Sequence, residues 1–308
     1  MKKVTSDNGF EGMVAIQLCI RFWPGQVKLK AEDLGLDPNE VPEVFYLGHK
    51  KLYPKDWRDR FNNMSNKARN YLNDNSYPFV LEWVRAIPKH KLAKMMERLE
   101  EFRAEYMALA EEFLAEYDKI RAEWKTMCDK KWPGLWAKLA PYYPGREYLK
   151  RRFDFYWNVF DIRAAEATPA SAPEIIEAYE RARAQLQARY DEMVEEAVLY
   201  LRKRVLETVQ NLSTRLKEGR IVRNDTLDSV RRVESWFRDL NIFGDMQVEE
   251  ALAKLRAALN GTDSKDLKDN EPLKKELANL ADQVAAAAGK LDDVSVISGN
   301  YKRMVDLS

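Results

Sequence analysis

The chain has 308 residues, with 51 Lys plus Arg against 50 Asp plus Glu and a formal net charge of +1. That balance excludes a global electrostatic pull toward nucleic acid or an acidic membrane, and the length allows one large or two to three ordinary domains. Charged residues are 33% and apolar residues 45% of the chain, which favours long exposed helices over a compact α/β enzyme.

The N-terminal stretch MKKVTSDNGFEG has no apolar core followed by a small-residue cleavage site, so no signal peptide is expected. Residues 13–23, MVAIQLCIRFW, alternate: Val14, Ile16, Leu18, Ile20 and Phe22 share one face, and Met13, Ala15, Gln17, Cys19 and Arg21 share the other. Period two with β-branched residues predicts a strand with one buried face, ended by a turn at Pro24-Gly25. A stretch punctuated by Pro and Gly runs to Pro54, then a short helix is expected over 55–75 and a short segment between Pro78 and Pro88.

From residue 89 the period changes. Leu92, Met95, Leu99, Phe102, Tyr106, Leu109, Phe113, Tyr117, Ile120, Trp124 and Met127 recur in steps of three and four, with one stutter at Phe113–Tyr117. No Gly or Pro interrupts residues 89–131, so the pattern predicts one helix of roughly 65 Å stopped by Pro133. A second run begins after ATPASAPE, where Ser171 and Glu174 fit a capping box with Pro173 in the first turn. Its apolar positions run Ile176, Tyr179, Arg183, Leu186, Tyr190, Met193, Ala197, Leu201, Val205, Val209, Leu212 and Leu216, with Gly219 as the stop. Two long helices of matched length are most simply an antiparallel, coiled-coil-like hairpin. Shorter helices follow at 225–240, 246–259 and 271–290, and the tail from Val294 reads as a small strand or an unstructured end.

Between the long helices, RRFDFYWNVFDI gathers Phe153, Phe155, Trp157 and Val159 on one side and Arg152, Asp154, Tyr156 and Asn158 on the other, with the pattern broken at Phe160–Asp161 and resumed at Ile162. This predicts a half-buried strand paired antiparallel with residues 13–23, its rings under helices. Burying Asp154 and Asp161 in hydrocarbon would cost several kcal/mol, against a membrane tip. The fold class is therefore mainly α: a long hairpin, a small two-stranded β element and a C-terminal helical segment. The domains read as 1–88, 89–218 with a cap at 132–172, and 219–308.

The same region offers the one candidate surface. Trp132, Trp136, Tyr142, Tyr143 and Tyr148 interleave with Arg146, Lys150 and Arg151. Such interleaving can stack bases and contact phosphates, but a cap with inward rings and wet cations is the favoured reading, because no RNA-binding signature accompanies it. Catalytic motifs do not appear. There is no Gly-rich phosphate loop, and the paired acids Glu111/Glu112 and Glu195/Glu196 read as helix-face charge. His49 and His90 lie in or near turns, as surface or capping residues. Cys19 and Cys128 have no motif spacing and read as two reduced thiols. No apolar run approaches the ~20 residues of a spanning helix. The expectation is a cytoplasmic, non-enzymatic protein with no cofactor and no bound metal.

VAIQLCIRFWPGQVKLKAEDLGL, LGHKKLYP, FLAEYDKIRAEW and RRFDFYWNVFDI, in this order over residues 13–165, resemble the domain-of-unknown-function 3150 family of phages, plasmids and integrative elements. The most specific parts are the strand, the turn Trp23-Pro24-Gly25 and the segment Lys28–Leu34. His49 and the stretch 55–88 depart from the family. The resemblance carries no catalytic residues. It implies a genomic neighbourhood with a MoxR- or CobS-like AAA+ ATPase, and so an adaptor or partner of such a machine. The expected function is a helical assembly protein of a mobile element, a homo-oligomer with a protein partner. The alternatives are a membrane-active pore-forming type, with LADQVAAAAGKL and the cap as inserting parts, and nucleic-acid binding through the cap.

Overall fold

The computed structural model describes residues 12–42, 44, 47–161 and 172–306. The leader reading of residues 1–11, the resumed strand pattern at Ile162 and the Ser171 cap lie outside them. In chain order the elements are β1 (Met13–Arg21), β2 (Gln26–Lys28), β3 (His49–Lys51), α1 (Lys55–Asp74), β4 (Tyr77–Pro78), β5 (Val84–Pro88), α2 (Leu92–Lys131), α3 (Leu135–Leu139), α4 (Arg146–Lys150), β6 (Asp154–Phe160), α5 (Pro173–Lys217), α6 (Asn224–Leu240), α7 (Met246–Leu259), α8 (Glu271–Ala288) and α9 (Val294–Asp306). Four strands join in the order β4-β5-β1-β6, and β2 pairs with β3. The protein is mainly helical with small antiparallel sheets, and the β content exceeds the two strands expected. Short strands such as Tyr77–Pro78 carry too few residues to show a period, and the prolines that bound them read as breaks.

The chain divides into two compact units, Met1–Ile16 with Asn75–Leu92 and Val159–Ser308, and Gln17–Asp74 with Ala93–Asn158. Both are discontinuous in sequence. In the second unit, α2 buries Leu99, Phe102, Tyr106, Leu109 and Phe113 as its spacing predicts. The stutter has a structural use. Two successive steps of four keep Leu109, Phe113 and Tyr117 on one line, and Phe113 becomes a hub with ring neighbours Trp23, Tyr53, Trp57, Phe61, Tyr117 and Phe153 at 5.3–6.3 Å. Here β1 and β6 pair as expected. Arg21 Nη2 donates to Asp154 Oδ2 at 2.5 Å, and Gln17 lies opposite Asn158. These two pairs have the same residue-number sum, the mark of antiparallel register. Phe153 and Phe155 are buried, against Phe61 and Phe113 and against Tyr106 respectively. Burial fades beyond them: Trp157 is half-buried and Tyr156 exposed.

In the first unit, α5 packs along α6, α8 and α9, and α7 packs on α6 and α8. Its buried face is wider than a heptad seam because three helices cover it: Val194, Val198 and Arg202 are buried beside Met193, Ala197 and Leu201. That explains the run of four-residue steps in the middle of α5. The long helices thus bury their seams in different units, and a coiled-coil hairpin of the two is not needed to account for either. The tail is helix α9, not a strand. Val294, Ser298 and Tyr301 are buried at spacings of four and three, so VSVIS, which alternates over a few residues, follows the helical period over a longer window. The segment LADQVAAAAGKL lies mostly in α8, where Ala281, Val284 and Ala288 are part of the core.

The most buried charged residue, Arg202, sits in that core. Arg202, 1% exposed, grips Asp245 with two bonds, Nε to Oδ2 at 2.6 Å and Nη2 to Oδ1 at 3.2 Å, and Nη1 donates to the Lys290 carbonyl. Asp245 also caps α7 by accepting from the Val248 amide. One bidentate pair therefore ties α5 to the start of α7 and the end of α8.

Candidate interaction surface

The cap follows from punctuation. After α2 ends at Lys131, Pro133 bars further helix, and Gly134 takes φ 85°, a conformation costly for a side-chain-bearing residue. The chain then makes α3, a 3-10 turn at Ala140–Tyr142 and α4, pinned inward by Leu139, Tyr143 and Leu149.

Sorting the predicted surface by where each side chain goes divides it. Trp136 and Tyr143 turn inward, their ring centroids 5.1 Å apart with the Arg121 guanidinium over both. The Tyr143 hydroxyl donates to the Leu52 carbonyl at 2.5 Å, and burial pushes it well above the ordinary phenol range. Tyr142 lies over Lys50 Nζ at 4.2 Å. Trp132, Arg146, Tyr148, Lys150 and Arg151 are exposed. Arg152 stacks on the Tyr148 ring at 4.5 Å, and Lys131 on Trp132 at 5.9 Å. The sequence grouped eight residues; the structure leaves six of them exposed, Tyr142 among them, and turns Trp136 and Tyr143 inward.

Behind the cap, β2 and β3 pair in the register Gln26↔Lys51, Val27↔Lys50 and Lys28↔His49. His49 is exposed on β3, and His90 Nε2 lies 3.1 Å from the Asp239 carbonyl. Gly25, at φ 55°, opens this hairpin; a Cβ there would overlap the Tyr53 ring. Asp33 accepts from Lys50 Nζ at 2.7 Å and from the Lys30 amide at 2.9 Å, and these bonds hold its carboxyl below the usual range. Burial opposes the Lys50 charge, but Asp33 and Tyr142 outweigh it and raise its pKa. The segment Lys28–Leu34, singled out in the sequence, is thus tied to β3 by an ion pair behind the cap.

Three features escaped sequence reasoning. From Pro173 to Arg189 no residue of α5 is buried, although Ile175, Ile176 and Tyr179 are 48%, 38% and 37% exposed and lie at apolar positions. The signal was present in the periodicity, which says that a face exists but not what covers it. Trp83, between β4 and β5, is 81% exposed at φ 64°. A cavity at the end of α5 is assembled by two loops far apart in sequence and left no local signal. Among the described residues no group of three or more His, Cys, Asp or Glu side chains could hold a metal ion. No helix among them is long and apolar enough to cross a membrane. Cys19 and Cys128 are free, Cys128 buried.

These features define a mainly helical protein with small antiparallel sheets, a ring-rich unit and a mostly aliphatic helical unit. The chain belongs to the family described as protein of unknown function (DUF3150), whose model matches residues 10–267. The match extends well past the 13–165 over which the sequence motifs were found. No curated protein and no solved structure matches the chain.

Proposed function

We propose that the protein is a non-enzymatic assembly protein that self-associates through the first four turns of α5. The observation that carries this reading is the apolar stripe Ile175, Ile176 and Tyr179, exposed among the described residues and continued by half-buried Leu186 on one helix. Isolated helix of this kind gains little stability in water from propensity alone and is normally held by packing on its apolar face. The charge pattern selects a second copy as the occupant. Glu174, Glu177 and Glu180 fill the first half of the segment, and Arg181, Arg183 and Arg189 the second. An antiparallel copy sets acidic half against basic half, brings Ile176 near Leu186 of the partner, and sets Tyr179 by Arg183, a cation–π contact. In the same reading the exposed cap residues Trp132, Tyr148, Lys150 and Arg151 meet a protein partner. An AAA+ ATPase as that partner, and a mobile element as the setting, rest on the resemblance alone.

Mass photometry tests the association. Ile176→Asp with Tyr179→Asp, both at exposed positions, is expected to turn a dimer into a monomer without lowering the melting temperature of the rest. A wild-type monomer at every concentration, or a double variant that stays dimeric, would overturn the reading.

A further inference from the structure

The loop after α5 and the loop between α7 and α8 enclose a cavity of about 380 Å³ in the first unit. Gly219, at φ 65°, ends α5 with its amide bonded to the Leu216 carbonyl and the Arg220 amide bonded to the Arg215 carbonyl. That left-handed turn sends Arg220 to Arg223 across the cavity mouth. The second loop is fixed to it by the Ser264 amide, which donates to Asn224 Oδ1 at 2.7 Å.

Five cations line the cavity, Arg220 and Arg223 from one side and Lys265, Lys268 and Lys274 from the other, and no carboxylate lines it. Two have acidic neighbours: Arg220 pairs with Glu218 at 2.7 Å and Lys274 with Glu271 at 2.6 Å. Arg223, Lys265 and Lys268 form no ion pair among the described residues, and all three are exposed. Three cations without an ion pair thus converge on one concavity. Like charges brought together oppose folding, so an anion that neutralises them binds with that repulsion relieved.

The rest of the wall is apolar. Leu216, Val222 and Leu267 are buried beneath it, and Ile221 is 80% exposed at its edge. The volume is in the range of pockets that enclose small organic ligands, and an apolar wall beside a cation ring asks for a ligand with both a flat apolar part and concentrated negative charge. We propose that this cavity binds a phosphate-bearing small molecule of the nucleoside diphosphate type. Its phosphates lie between Arg223 and the lysines of the second loop, and its ring covers Leu216 and Ile221. No side chain caps the first turn of α6, which begins at the cavity, and its amides add to the positive field, against Asp225 in the same turn.

Calorimetry on the full chain tests this with ADP and with inorganic pyrophosphate as separate probes. ADP is expected to bind more tightly than pyrophosphate. Arg223→Gln with Lys268→Gln, both exposed, should weaken both probes by about tenfold or more, the worth of one or two charge-assisted contacts. Ile221→Ser should weaken ADP and leave pyrophosphate unchanged, while Lys254→Gln on the exposed face of α7 should change neither. Absence of ADP binding at about 1 mM, a concentration that detects even weak ligands, would overturn the proposal. So would equal affinity for the two probes, or a Gln double variant that binds as the wild type does.

Discussion

The two units build their cores by different chemistry. Around Phe113 the core is a set of rings whose polar atoms are tied to the backbone: the hydroxyls of Tyr53, Tyr106 and Tyr117 donate to the carbonyls of Trp23, Arg21 and Pro144 at 2.9, 2.6 and 2.8 Å. Burial raises all three hydroxyls above the ordinary phenol range, Tyr117 to about 12, so they stay protonated donors at any physiological pH. In the unit built on α5 the core is mostly Leu, Val and Ala, with a small ring group in which Phe243 touches Tyr77 and Tyr301, and its buried acids carry the charged contacts, Asp245 with Arg202 and Glu234 with Arg238 and Arg256. Aliphatic packing is tolerant of sliding along a helix; a bidentate pair is not. One unit spreads its specificity over ring hydroxyl bonds, and the other places its most buried directional contact in the Arg202–Asp245 pair.

That contrast is sharpest under truncation. Phe113→Ala removes the hub of the ring cluster and should cost about 3–5 kcal/mol. Arg202→Ala leaves Asp245 buried without its partner and should cost a similar 3–5 kcal/mol. The difference lies in where the damage appears. Amide exchange should rise in α1 and α2 for the first variant and in α5, α7 and α8 for the second. Exchange rising equally in both units for either variant would contradict two separately built cores. Arg202→Leu combined with Asp245→Leu should recover only part of the loss, because the Asp245 cap of α7 goes with the pair.

A smaller change probes the distributed side. Tyr53→Phe keeps the ring against Trp23 and Phe113 and removes one hydroxyl bond. The expected cost is about 0.5–1.5 kcal/mol by chemical denaturation, the net worth of one hydrogen bond. A loss several times larger would mean that the Trp23 carbonyl, and with it the turn at Gly25, depends on this bond alone.

The contrast also explains what could be read in the sequence. The seam of α2, the pairing of residues 13–21 with 154–160, and helices such as Met246–Leu259 were legible because each is a local period. The first half of β1 was only half legible: Met13 and Ala15, assigned to the open face, are as buried as Val14 and Ile16. A strand buried on both sides loses the alternation that identifies its neighbours. Which partner fills a seam was not legible, since Leu99 and Val205 have the same spacing and different neighbours. The candidate surface was half legible for a related reason. Aromatic–basic interleaving occurs both where rings stack inward, as at Trp136 and Tyr143, and where they face water, as at Trp132. The cavity was not legible because its cations come from residues 220–223 and 265–274, brought together only by the fold.

The smallest expected effect concerns a ring outside the cluster that gives rings their role. Trp83 belongs to the aliphatic unit, is mostly exposed, and holds a left-handed backbone with φ 64°. For a side-chain-bearing residue that conformation costs about 1–2 kcal/mol, whereas glycine adopts it freely and loses about 0.5–1 kcal/mol through the greater freedom of its unfolded chain. Trp83→Gly should therefore leave stability unchanged or raise it by up to about 1 kcal/mol. The same residue type at position 23, set against Tyr53, Phe113 and Tyr117, should destabilise clearly when truncated. A fall in melting temperature for Trp83→Gly comparable to that for Trp23→Ala would mean that the exposed ring supports the hairpin between β4 and β5.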